Sequence, residues 1–194
     1  LIVWIFFHHF SNAQLPSGFT VLNNQIPELE VELRYSTSKN FMGRQVKAYY
    51  SDIAIGSIAL AKQLKKVQAE LKPMGFGIKI FDAYRPQYVQ EKLWSKFPDP
   101  DFIANPLKGS PHTKGIAIDL TLLDSNKNEL KMGTGFDDLT KKSYHLSDNI
   151  SLEERKNRHQ LLSIMVLAGF DFYLNEWWHY QLFNSEDYEL IPNF

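Results

Sequence analysis

Three stretches of this chain carry residues whose types and spacing could do chemistry. In Ser110-Pro111-His112-Thr113-Lys114-Gly115-Ile116-Ala117-Ile118-Asp119, a His and an Asp stand seven apart with a glycine between them. A turn at Gly115 could bring both side chains to one point at the mouth of a buried strand. An Asp inside so apolar a strand is costly unless it is paired or bound to a cation. A satisfied core pair is the bland reading of the same residues. Glu176-Trp177-Trp178-His179 puts a carboxylate and an imidazole three apart near the chain end. Read alone, on a strand, it reads as an aromatic core with one buried ion pair. In Phe81-Asp82-Ala83-Tyr84-Arg85-Pro86, Arg85 ends a strand just before a proline, where a rigidly held guanidinium could stabilise an oxyanion. Its alternative is a surface arginine paired with Asp82.

Taken together the first two stretches say more. Two imidazoles and one carboxylate, from His112, Asp119 and His179, make the three-ligand protein shell of a catalytic zinc whose fourth position is left to water. Glu176 is then a spare carboxylate, suited to take a proton from the attacking water and pass it to a leaving amine. A structural zinc closes its shell with a fourth protein ligand, usually Cys, and the chain has no cysteine. The same absence excludes disulfides, a cysteine nucleophile and a lipidated cysteine anchor.

These residues need elements to hold them. From Ser51-Asp52 onward, Ile55, Ile58, Ala59, Ala61, Leu64, Val67 and Leu71 fall largely at helical spacing, which predicts an amphipathic helix of about 20 residues ending at Pro73. Gly77–Asp82 alternates and reads as a strand. Pro86 starts a helix through about Phe97. Ile116–Leu122 is nearly all apolar and reads as a strand buried on most sides. Ser151 with Glu154 forms a capping box before a helix that turns Leu161, Leu162, Met165 and Ala168 inward and closes at Gly169. A strand pair follows between Phe170 and Leu182. Helices and strands do not alternate as regular βαβ units, so the expected class is α+β, with a mainly antiparallel central sheet flanked by helices.

With 21 basic against 22 acidic side chains the net charge is −1, so there is no basic field to hold a nucleic acid. The 194 residues, 44% hydrophobic, suffice for one domain that buries about 70% of its unfolded surface without covalent staples. Leu1–Phe7 is an unbroken apolar run, and Ser11-Asn12-Ala13 then supplies small residues. It reads as the end of a signal peptide, or alternatively as an N-terminal core strand, and falls far short of the roughly 20 residues that span a bilayer. The expected division is therefore a signal remnant at 1–13 and a single domain at 14–194, exported to a periplasm or beyond, with a cytoplasmic location as the alternative. His8 and His9 lie in or beside that segment. His159 lies on a charged helix, and His145 reads as a loop residue close enough to Asp137 to line a pocket.

The motifs Ser-x-His-x-x-Gly-x-Ala-x-Asp119, Glu176-x-Trp-His179 and Asp82-x-Tyr-Arg-Pro86 resemble those of the zinc D-alanyl-D-alanine peptidases that share a fold with the hedgehog signalling domain. The VanX-type D-alanyl-D-alanine dipeptidases are the closer match. Arg34-Tyr35-Ser36-Thr37-Ser38-Lys39-Asn40-Phe41-Met42-Gly43, Met132-Gly133-Thr134-Gly135-Phe136-Asp137 and Asn157-Arg158 extend the resemblance from about Val31 to Leu182. It implies one zinc per chain on His112, Asp119 and His179, with Glu176 as general base and acid and Arg85 on the tetrahedral intermediate. Tyr35 and Asp137 would receive the free ammonium of a small dipeptide, and Ser110 its carboxylate. Pro111 stands where these dipeptidases often carry a second Ser. The implied reaction is hydrolysis of D-alanyl-D-alanine, in wall turnover or glycopeptide resistance. The alternatives are a carboxypeptidase acting on wall stem peptides and a hedgehog-like zinc module without turnover. An exported relative would act on dipeptide released by wall turnover.

Overall fold

The computed structural model describes residues 15–47, 49 and 53–191. The apolar segment at 1–13, with His8 and His9, and the Ser51-Asp52 pair lie outside the described residues. Two sheets form. The smaller pairs Phe19–Val21 (β1) with Ile55–Ser57 (β3), antiparallel. Between them in the chain come a single helical turn, Leu22–Gln25 (α1), and Glu30–Val31 (β2).

The larger sheet has five strands. It is built from β2, Gly77–Asp82 (β4), Ala117–Leu123 (β5), Phe170–Phe172 (β6) and His179–Leu182 (β7), in the order β2-β4-β5-β7-β6. Only β2 with β4 is parallel, so the sheet is mainly antiparallel, as expected. Helices Ile58–Leu71 (α2) and Leu152–Leu167 (α4) pack on it and on each other. Leu60, Leu64, Val67, Leu161 and Met165 meet a sheet face carrying Ile78, Ile80, Ile118, Leu120 and Tyr180, all buried. Because strand side chains alternate, Asp119, His179 and Gln181 are turned to the opposite face. There they line a cavity.

The capping box forms: Ser151 Oγ accepts from the Glu154 N–H, and Glu154 accepts from the Ser151 N–H at 2.7 Å. Gln87–Lys96 (α3) starts directly after Pro86. The helix expected from Ser51-Asp52 instead starts at Ile58, because Ser57 caps it by accepting the Leu60 N–H and the residues before it pair with β1. Gly56 permits that junction: a Cβ there would lie 2.6 Å from a Leu60 methyl. A second correction concerns Glu176-Trp177-Trp178, which lies in the turn between β6 and β7 and not on a strand. Two of its N–H groups go to turn and loop carbonyls, Glu176 to Tyr173 and Trp177 to Ser143; the Trp178 carbonyl accepts the Leu120 N–H of β5, and His179 is in register with Asp119.

Candidate active site

Three strands set one line of side chains. Ile80 pairs with Leu120, but the register shifts there and Asp82, not Phe81, comes opposite Asp119. Asp119 in turn lies opposite His179 on β7. The bulge thus aligns Asp82, Asp119 and His179 across the sheet, the re-aiming role such bulges have beside active sites. His112 reaches the same point from the turn before β5. That turn closes with Gly115 N–H on the His112 carbonyl, and Gly115 is held at φ +65°, where a Cβ would meet Phe19 at 2.3 Å.

Among the described residues, His112, Asp119 and His179 are a buried group that could hold a metal ion, their donor atoms all within 4.8 Å of one another. Asp119 Oδ1 lies 3.0 Å from His179 Nδ1 and 3.3 Å from His112 Nε2, and the two imidazole nitrogens are 3.2 Å apart. His112 Nδ1 sits 2.7 Å from the Ala83 carbonyl, which can only accept, so the ring proton belongs there and Nε2 presents its lone pair. The donor set therefore fits a divalent cation with an open position. Burial alone would raise the Asp119 carboxyl, but the two histidines outweigh it and hold it well below the usual carboxylate range.

Glu176 Oε2 lies 3.9 Å from His179 Nδ1, beside the trio. Burial, then repulsion from Asp119 and Asp137, pushes its carboxyl well up, against the pull of Arg85. A raised carboxyl beside a metal trio can carry a proton in either direction.

Arg85 is buried and also paired with Asp82, so the surface reading fails while the pairing stands. Its Nε and Nη2 donate to Asp82 Oδ2 at 2.8 and 2.6 Å, and Nη1 donates to Gln90 Oε1 at 2.7 Å. Asp82 accepts from the Tyr49 hydroxyl and the Ala83 N–H as well. Burial would lower the guanidinium, but Asp82, Tyr35 and Asp119 raise it further, so the charge is permanent. Nη2 lies 3.7 Å from Asp119 Oδ2, placing that charge next to the trio.

Asp137 lines the same cavity. Tyr35 donates its hydroxyl to Oδ1 at 3.0 Å and the Phe41 N–H reaches Oδ2 at 3.2 Å, yet burial dominates and pushes the carboxyl up to about 7. Asp137 sits at φ +61°, a left-handed backbone that a non-glycine residue seldom adopts outside functional or tightly held sites. Arg158 holds the loop that carries it. Fully buried on α4, it donates to the carbonyls of Met132, Tyr144 and Lys142 at 2.6, 2.8 and 3.1 Å. Ser110 lines the cavity with its Oγ accepting the His112 N–H.

The cavity, about 220 Å³, brings together every residue singled out by sequence: Tyr35, Arg85, Ser110, His112, Asp119, Asp137, Glu176 and His179. Sequence reasoning missed its roof. Pro100, Phe102, Ile103 and Ala104 form one wall, tied across the mouth where Tyr173 Oη and Asn175 Nδ2 donate to the Asp101 carbonyl at 3.1 and 3.2 Å. Such a segment has no chemical signature, being apolar residues around a carbonyl. His145 is a loop residue, as read, but lies buried against Phe172 and Tyr180 and not among the residues lining the cavity; burial lowers its imidazole to about 4. His159 is exposed on α4.

A buried two-imidazole, one-carboxylate donor set on an α+β sheet, with a free carboxylate and a fixed guanidinium in one cavity, is the class of site found in mononuclear metallohydrolases. The chain belongs to the peptidase M15 family of D-ala-D-ala dipeptidases, whose family model matches residues 16–194. It is 37% identical over 171 residues to the D-alanyl-D-alanine dipeptidase of Escherichia coli K12, covering 86% of each chain. It is 34% identical over 184 residues to that of Enterococcus faecium, covering 85% of this chain and 91% of the relative. A solved structure of VanYB in complex with D-alanine-D-alanine aligns with a TM-score of 0.46 at 14% identity, over 76% of this chain and 86% of that one.

Proposed function

We propose that residues 14–194 form one zinc-dependent catalytic unit that hydrolyses D-alanyl-D-alanine to two D-alanines. One observation carries the reading: a single small cavity is lined both by the metal-type trio and by the buried carboxylate of Asp137. Zinc, one per chain on His112, Asp119 and His179, would polarise the scissile carbonyl and make water nucleophilic at neutral pH. Glu176 accepts the proton of the attacking water and hands it to the nitrogen released when the amide C–N bond breaks. Arg85, immobilised by Asp82 and Gln90, faces the oxygen on which negative charge develops. Asp137, with the Tyr35 hydroxyl, pairs with the free ammonium of the dipeptide, and Ser110 takes its carboxylate.

A buried carboxylate suits a free ammonium and penalises an acylated nitrogen, which would leave the charge unpaired. This favours the dipeptidase over a carboxypeptidase acting on stem peptides, and the Glu176 and Arg85 pair favours either over a zinc module without turnover. No helix among the described residues is long and apolar enough to cross a membrane. With Leu1–Ala13 read as an export signal, the substrate is dipeptide released outside the cytoplasm by wall turnover. The test incubates the purified protein, with and without zinc, with D-Ala-D-Ala and its N-acetyl form, and measures D-alanine. Zinc-dependent release from the free dipeptide alone is expected. Faster cleavage of the acetylated form would establish the carboxypeptidase.

A further inference from the structure

The metal reading gives no role to Gln181, which lines the cavity. Gln181 stands two residues after His179 on β7, so both project from the same face of the sheet. Its backbone lies in register with Ala117 on one side and Asp171 on the other, which fixes the carboxamide on a central strand. Gln181 Oε1 is 3.2 Å from His179 Nε2.

A neutral imidazole has one N–H to place. On Nε2 it donates to Gln181 Oε1 and leaves the Nδ1 lone pair directed at Asp119 Oδ1 and His112 Nε2, 3.0 and 3.2 Å away. On Nδ1 it would sit among those donors and close His179 as a ligand. A carboxamide offers an acceptor on one side and a donor on the other, so its orientation and the tautomer of His179 are a single variable. With Oε1 toward the ring, the metal-ready tautomer is selected. His112 is set in the same manner by the Ala83 carbonyl, a backbone acceptor that cannot be mutated away. One ligand ring is thus oriented by main chain and the other by a replaceable side chain.

We propose that Gln181 is a positioning residue that holds His179 with its proton on Nε2 and its Nδ1 free to bind the metal. The proposal rests on the metal site argued above. Outer partners of ligating histidines commonly contribute about 10–100-fold in metal affinity. The test compares Gln181→Met, of similar length but without an accepting oxygen, with Gln181→Glu, which accepts from either oxygen. Zinc dissociation constants are measured by chelator competition on protein whose fold is checked by circular dichroism, and the ring N–H signals of the zinc-loaded form by 15N NMR. We expect zinc affinity to fall about 10–100-fold in Gln181→Met and to be kept or tightened in Gln181→Glu, with the His179 Nε2–H signal retained in the wild type and broadened by solvent exchange in Gln181→Met. Equal affinity in wild type and Gln181→Met, or equal losses in both variants, would overturn the proposal. A wild type that binds no zinc would instead bring down the metal site itself.

Discussion

Asp119 and Asp137 are buried carboxylates of one cavity, yet their surroundings drive them in opposite directions. Asp119 has two imidazoles against it, and their attraction overcomes burial and keeps it ionised. Asp137 receives a hydroxyl and one backbone N–H, which do not compensate for burial, and its carboxyl rises to about 7. The difference lies in what each lacks. Asp119 already stands in a complete donor set, whereas Asp137 is a charge without a cation, which a substrate ammonium would supply. On the proposed function, such a carboxylate would recognise its ligand by the desolvation it relieves.

The comparison breaks first at the metal end. Glu176→Ala should retain zinc, by elemental analysis, while turnover drops about 10²–10⁴-fold, since it removes a proton carrier and no ligand. His112→Ala and His179→Ala should instead lose the metal. If Glu176→Ala empties the site, Glu176 belongs among the ligands. At the other end, Asp137→Ala should leave zinc in place and lower kcat/KM for the free dipeptide by about 10²-fold or more, the loss of a buried charge pair, with little change for the acetylated form. Equal losses on both substrates would remove Asp137 from ammonium recognition.

A smaller effect tests the support beneath Asp137. Arg158→Met leaves three carbonyls of the 132–144 loop without their charged donor, so denaturant unfolding should show about 2–4 kcal/mol of lost stability. In the residual folded protein, KM for the dipeptide should rise while zinc affinity stays put.

The smallest effect is in pH. The folded Asp137 carboxyl binds its proton more tightly than the unfolded one, so this group favours the fold at low pH and gives up that contribution as pH climbs from 3.8 to about 7. Only the ionised form pairs with an ammonium. The kcat/KM for the free dipeptide should therefore rise through pH 7, and Asp137→Asn should flatten that limb.

The trio is legible because an Asp in an apolar strand is costly without a purpose, and Arg85 because a proline marks the start of the helix after it, although β4 ends at Asp82 and Arg85 lies in the link to α3 and not at a strand end. The support is not. Gln181 and Arg158 bond to an imidazole and to carbonyls, partners that leave no trace in spacing. Strands of two or three residues, such as β2 and β3, are too short to show a period, and the apolar Ile55 was drawn into the helix pattern although its partner, Val21, lies far back in the chain. The aromatic turn holding Glu176 looked like a strand because nothing local reveals that its N–H groups are taken by Tyr173 and Ser143.

The direct opposition of Asp119 and His179 on β5 and β7 also bears on how the chain reaches its native pairing. These residues are 60 apart in sequence, and a slip of one position would turn His179 to the helix side of the sheet. A bound ion would therefore recognise only the correctly paired strands and act as a proofreader of folding. At a free concentration 1,000 times its dissociation constant it would favour that arrangement by about 4 kcal/mol over every misaligned or unfolded one that cannot bind it.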